Sequence, residues 1–137
     1  MLIQPYLFFE GRAEEALAFY SQAVGAQVQT LVRYKDNPEP GGAGPTPPDG
    51  EKIMHASMRV GESLVNLSDG ECRGATDFRG FSLTLVAPSD EDTARWFNAL
   101  LDGGELIMPL SKTFFASSFG MLRDRFGLHW MVMGPSV

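Results

Sequence analysis

Cysteine is nearly absent from this chain: Cys72 stands alone among 137 residues. A lone thiol cannot close an internal disulfide, which fits a reducing cytoplasm. Long apolar runs are lacking too, and none approaches the roughly 20 residues that span a bilayer. The opening Met1-Leu2-Ile3-Gln4-Pro5-Tyr6 has no positive leader region and no small-residue cleavage site, so no export signal is expected. Positive charge is scarce, with 11 Lys and Arg against 17 Asp and Glu and a net charge of −6. A surface of that sign repels phosphate backbones and argues against nucleic-acid partners. Also missing are a glycine-rich strand-to-helix fingerprint, a P-loop and a Gly-x-Ser-x-Gly elbow, which counts against nucleotide cofactors and elbow-type serine chemistry. Cys72 follows Gly70-Glu71 in a polar stretch without an evident basic partner and reads as an ordinary thiol. What is present, 44% hydrophobic and 20% charged residues, is the mixture of one globular domain.

The pattern along the chain alternates strands with two helices. Ile3 to Phe9 is aromatic and β-prone, with Pro5 suited to an edge or strand start. Ala16, Leu17, Phe19, Tyr20, Ala23 and Val24 recur at helical spacing within 12–24, and Gly25 is a natural terminator. Gln27 to Tyr34 reads as a second strand. Asp36 to Glu51 is almost wholly Pro, Gly and acid, and is read as a surface loop, an inert insertion or alternatively a lid. Lys52 to Ser68 predicts a hairpin turning at Gly61-Glu62 in a type II′ turn. That register pairs Val60 with Ser63, Met58 with Val65 and Ala56 with Leu67 on one apolar face. The other face then carries His55, Ser57 and Arg59 beside Leu64, Asn66 and Ser68, and wants water or a ligand. A strand over 80–87 precedes a helix capped by Ser89, which ends at Gly103-Gly104. Strands over 105–110, 117–122 and 128–133 follow, the last two joined by the turn Arg123-Asp124-Arg125-Phe126-Gly127.

The order strand, helix, three strands therefore occurs twice. Sliding the sequence by 77 residues lays Gln4 on Phe81, Tyr6 on Leu83, Phe8 on Leu85, Phe19 on Trp96 and Tyr20 on Phe97. A repeat of this kind predicts two βαβββ modules, about 1–70 and 78–137, in a single domain of the α+β class. Helices would cover the convex faces of the sheets, and the concave faces would enclose a cavity.

The residues that carry these elements resemble a known family. Ile3 through Gly11, Glu15-Ala16-Leu17-Ala18-Phe19-Tyr20, Ile53-Met54-His55-Ala56, Leu67-Ser68-Asp69 and Gly80-Phe81-Ser82-Leu83 are similar to PhnB-like proteins of the vicinal oxygen chelate superfamily. The most specific part runs from Met108-Pro109-Leu110 through Phe119-Gly120-Met121 to Asp124-Arg125-Phe126-Gly127-Leu128-His129-Trp130-Met131, where Arg125 replaces the family's Pro. The superfamily includes glyoxalase I, extradiol dioxygenases, fosfomycin resistance enzymes and bleomycin-binding proteins. The resemblance implies the paired βαβββ fold, in a homodimer, but no single reaction.

It also implies where a metal would be held. Metal-dependent members use His, Glu or Gln from four cavity-facing positions related in pairs by the repeat. On this alignment those positions are Gln4 with Phe81 and Asn66 with Met131. A phenyl ring is no ligand and a thioether is a poor one for the divalent ions concerned, so the constellation reads as dismantled. The first expectation is thus a cytoplasmic protein that binds a small aromatic or amphipathic molecule without metal or other cofactor. Tyr6, Phe81, Phe115, Trp130 and Met131 would supply apolar surface, and Gln4, His55, Arg59 and Asn66 orienting hydrogen bonds. The alternative is a glyoxalase, lyase, isomerase or dioxygenase holding one divalent ion such as Zn, Ni or Mn through Gln4, His55 and His129. A third is an assembly partner with a filled cavity. A methyltransferase is not expected, because this strand-rich pattern lacks the doubly wound parallel sheet of a Rossmann-type adenosylmethionine site.

Overall fold

The structure is a computed structural model that describes residues 1–39 and 49–137. It divides into two compact units, Met1–Thr76 and Asp77–Val137. Each is a βαβββ module with a four-stranded sheet and one helix.

The first unit runs β1 (Tyr6–Phe8), α1 (Ala13–Val24), β2 (Gln27–Arg33), a short 3-10 turn (Tyr34–Asp36), β3 (Ile53–Val60) and β4 (Ser63–Ser68). Its sheet order is β1-β4-β3-β2, with β1 parallel to β4 and the other pairs antiparallel. The strand expected from Ile3 begins only at Tyr6, after the Pro5 carbonyl has accepted Asn66 N–H at 3.0 Å. The hairpin holds the expected pairs Val60 with Ser63, Met58 with Val65 and Ala56 with Leu67. Gly61 turns it at φ 58°, the left-handed geometry that type II′ demands of its first central residue. Alternation sends Ala56, Met58, Val65 and Leu67 into the core, where they bury with Leu7 of β1 and with Leu17 and Tyr20 of α1. The first turn of α1 has no cap from its own neighbour Arg12; instead the buried Asp69 accepts Ala13 N–H at 2.7 Å and Ile53 N–H at 2.6 Å.

Much of the loop expected over 36–51 falls on residues 40–48, outside the described residues, and so does the choice between insertion and lid. Its base is closed by Lys35 N–H to the Gly50 carbonyl at 3.0 Å, Tyr34 N–H to the Lys52 carbonyl at 3.0 Å and the Lys35–Glu51 pair at 2.6 Å.

The second unit repeats the order with β5 (Leu83–Val86), α2 (Asp90–Leu101), β6 (Glu105–Ser111), β7 (Phe119–Arg123) and β8 (His129–Met133), in sheet order β5-β8-β7-β6. Ser89 caps α2 as expected, its Oγ accepting Asp92 N–H at 3.1 Å. The helix seats Phe97 against Gly120 of β7, where a Cβ would come within 2.7 Å of the ring. Leu100, Leu122, Trp130 and Val132 complete that core. The edge strand β6 loses register between Met108 and Ser111, the stretch that contains Pro109.

Candidate functional site

Each sheet buries one face and leaves the other open. In the first unit, Tyr6 lies beside Asn66, and Ser57 lies beside Asn66 from the other side. Period-two alternation therefore places Gln4, Tyr6, Phe8, His55, Ser57, Arg59 and Asn66 on one face, open except at Ser57, which is buried. The structure brings four of these together in pairs. The Tyr6 hydroxyl is 2.9 Å from His55 Nδ1, with the rings 5.6 Å apart, and Asn66 Nδ2 donates to Gln4 Oε1 at 3.1 Å. Phe8 stands 5.2 Å from the Tyr6 ring. Arg59 is exposed on the same face, opposite Leu64 and Gln27 near the hairpin end.

In the second unit the open face is rich in sulfur. Met131 pairs with Met121 and Thr84, and Met133 with Phe119 and Val86. At the end nearer the β7–β8 turn lies a pocket of about 430 Å³ lined by Phe78, Arg79, Phe81, Ser82, Arg123, His129 and Met131, among others. Phe78 and Phe81 meet edge to face with centroids 6.2 Å apart. Ser82 Oγ is 2.7 Å from His129 Nδ1 and donates to the His129 carbonyl at 3.2 Å.

One expected lining residue, Trp130, lies elsewhere. Trp130 points to the opposite face from Met131, as adjacent strand residues must; it is buried, and its Nε1–H donates to Asp124 Oδ2 at 2.9 Å. Phe115 stacks edge to face on Phe119, which lies opposite Met133, at 5.1 Å. Asp124 also accepts Phe126 N–H at 2.9 Å and Leu128 N–H at 3.1 Å, so the Asp-Arg-Phe-Gly turn is a structural knot around one carboxylate. Arg125 reaches back to the Asp102 carbonyl and carboxylate.

The register also corrects the repeat. Tyr6 and Asn66 are paired in the first sheet as Thr84 and Met131 are in the second, and Phe9 N–H bonds the Ser68 carbonyl as Ala87 N–H bonds that of Met133. The strands thus superimpose with a shift of 78, whereas α1 and α2, beginning at Ala13 and Asp90, superimpose with 77. Four residues separate β1 from α1 and only three separate β5 from α2. The partner of Gln4 is therefore Ser82, not Phe81.

The four chelating positions implied by the fold become Gln4, Asn66, Ser82 and Met131. Two amides, a hydroxyl and a thioether supply neither a carboxylate nor an imidazole, and this donor set does not fit a divalent ion. The Nδ1 atoms of His55 and His129 are each engaged by a hydroxyl. Among the described residues no three His, Cys, Asp or Glu side chains gather as metal ligands would. Burial first, then the charge of Asp69, pushes the Cys72 thiol up, away from an activated nucleophile.

Sequence reasoning missed Ser82, Arg79 and Arg123. Counting the residues between strand and helix would have found Ser82. Arg123 sits in the second sheet where Arg59 sits in the first, opposite His129 where Arg59 is opposite Leu64.

A family model described as "3-demethylubiquinone-9 3-methyltransferase" matches residues 2–133. The chain belongs to this PhnB-like family. Relatives match almost end to end: protein YjdN of Escherichia coli is 32% identical, covering 96% of this chain and 94% of its own. The crystal structure of PA1353 from Pseudomonas aeruginosa is 38% identical with a TM-score of 0.82, covering 98% of this chain and 97% of that one. A PhnB protein from Bacillus cereus, titled a putative 3-demethylubiquinone-9 3-methyltransferase, is 26% identical with a TM-score of 0.78 over 98% and 100%. The fosfomycin resistance protein FosX of Listeria monocytogenes, 8% identical over 97% and 91% with a TM-score of 0.68, shares the fold alone. The chain thus has the fold of the glyoxalase/bleomycin resistance type, built of two βαβββ modules. The methyltransferase wording misleads for a PhnB-like chain. Each sheet has one parallel pair and two antiparallel ones, and neither is the doubly wound parallel sheet of a Rossmann-type adenosylmethionine site.

Proposed function

We propose that this PhnB-like protein binds a small, partly aromatic molecule against the open faces of its sheets and does so without a chelated metal. The observation that carries the reading is the donor set at the four corrected positions, Gln4, Asn66, Ser82 and Met131. It keeps one Gln but puts an Asn amide, a hydroxyl and a thioether at the other three positions, where the resemblance implies that metal-dependent members use His, Glu or Gln. Aromatic and thioether walls with a few fixed polar groups are the ordinary lining of a small-molecule site, and both open faces have that make-up. A homodimer is part of this reading, as is a cytoplasmic setting. No helix among the described residues is long and apolar enough to cross a membrane.

The test is metal analysis of the desalted protein after exposure to zinc, nickel and manganese, beside native mass spectrometry of the protein as purified from cells. Substoichiometric metal together with a retained small-molecule mass is the expected result. Stoichiometric retention of any of the three ions would overturn the metal-free reading and restore the enzyme built on Gln4, His55 and His129.

A further inference from the structure

We infer that the pocket of the second unit is selective for small aromatic anions, an aryl carboxylate or aryl phosphate, with the ring on Phe81 and the anionic group between Arg79 and Arg123. This deepens the small-molecule reading above and rests on it. In a chain where acids outnumber bases 17 to 11, two arginines and a histidine line one pocket, and among the described residues no acidic side chain lines it. That convergence runs against the bulk composition.

The arginines are held without being used up. Arg123 Nη1 donates to Glu105 Oε2 at 3.1 Å, and Arg79 Nε donates to Asp77 Oδ1 at 3.2 Å. Both pairs are solvent-exposed, so they orient the guanidinium groups while contributing little that an incoming anion must displace. Each guanidinium carries five N–H donors in a planar fork that matches a carboxylate or phosphate edge to edge, which leaves donors for a ligand. The aromatic part has its own seat. Phe78 is buried and meets Phe81 edge to face, fixing a ring that is itself 44% exposed and able to stack on another. The 2.7 Å Ser82–His129 contact pins the imidazole through Nδ1 at the pocket wall. A volume of about 430 Å³ suits a single substituted ring. The first unit lacks this set, having Leu64 where the second has His129 and Gln4 where it has Ser82.

The experiment is an amide NMR titration of the full chain with four probes: benzoate, phenyl phosphate, benzamide and inorganic phosphate. Benzoate and phenyl phosphate are expected to shift the amides of 78–82 and 127–131 saturably. Benzamide, lacking the charge, and inorganic phosphate, lacking the ring, should each bind at least tenfold more weakly. Arg123→Gln should weaken benzoate at least tenfold. Arg79→Gln, at a side chain 91% exposed, serves as the variant that leaves folding untouched and should weaken it several-fold. Benzamide binding as tightly as benzoate at these amides would overturn the anion selectivity while leaving the small-molecule reading intact. Inorganic phosphate matching phenyl phosphate would overturn the aromatic half. Saturable shifts elsewhere, with 78–82 unmoved, would overturn the location. Failure of all four probes, joined to stoichiometric metal retention, would remove both readings.

Discussion

Glu10 is a buried carboxylate in a left-handed backbone, 2% exposed at φ 54°, and it is held by what surrounds it. Arg73 donates from Nε at 2.9 Å and Nη2 at 2.7 Å, and the Glu71 backbone N–H adds 2.9 Å. Burial alone would push its carboxyl up, but the Arg73 and Glu71 bonds outweigh burial and hold it below the ordinary value. A carboxyl lowered in the folded state contributes stability that is present above the unfolded value of about 4.3 and lost as pH falls through the folded one. Glu10→Gln should therefore flatten the acid limb of stability against pH, measured as urea midpoints from pH 7 to 3; a limb as steep as the parent's would contradict this account. At this scale the sequence was legible where one hairpin register decides a face, as for His55, Ser57 and Asn66. It was not legible where two neighbours in one strand were assigned a common role. Trp130 and Met131 cannot share a face, and the indole that looked available for a ligand instead closes a turn around Asp124.

Among the elements, helices and strands carried different kinds of information. The aromatic doublets Phe19-Tyr20 and Trp96-Phe97 align the helices, and nothing in them reports the length of the turn before. The first unit enters its helix through Glu10 and Gly11, both at positive φ, whereas the second uses Pro88 and the Ser89 cap with one residue fewer. One residue is enough to exchange the two faces of a strand, which is why Phe81 stood in for Ser82 in the sequence reading. Element contacts also set tolerances. A Cβ at Gly104 would lie 2.2 Å from the Arg123 carbonyl oxygen and 2.9 Å from Asp124 Cα, backbone atoms that no side-chain rotation can clear. Gly104→Ala is expected to force β6 from β7 and to lower stability by about 3 kcal/mol, the upper part of the usual overpacking range, as read by urea unfolding. A loss under about 1 kcal/mol would mean that the strands yield more easily than their spacing implies.

For the whole molecule, the doubled βαβββ plan was readable because its signals are local: a hairpin glycine, a helix cap and strand alternation recur in order. What could not be read is how residues distant in sequence share one pocket, since Arg79, Arg123 and His129 meet only through the pairing of β8 with β5 and β7. Two open sheets also leave outer strands, and β6 is the most apolar of them at its surface, with Leu106, Ile107 and Met108 each at least 40% exposed. Such a strand is a template for unwanted pairing with another chain. Pro109 lies where that strand slips out of register with β7, which breaks the flat, regular edge an incoming chain would need. Pro109→Val should bring aggregation, followed by light scattering on warming, to a lower onset temperature with little change in the unfolding midpoint; an unchanged onset would count against this. The same imino ring that spoils the ladder inside the sheet thus acts as a gatekeeper for the protein's company, keeping a sticky border from zipping onto its neighbours in a crowded solution.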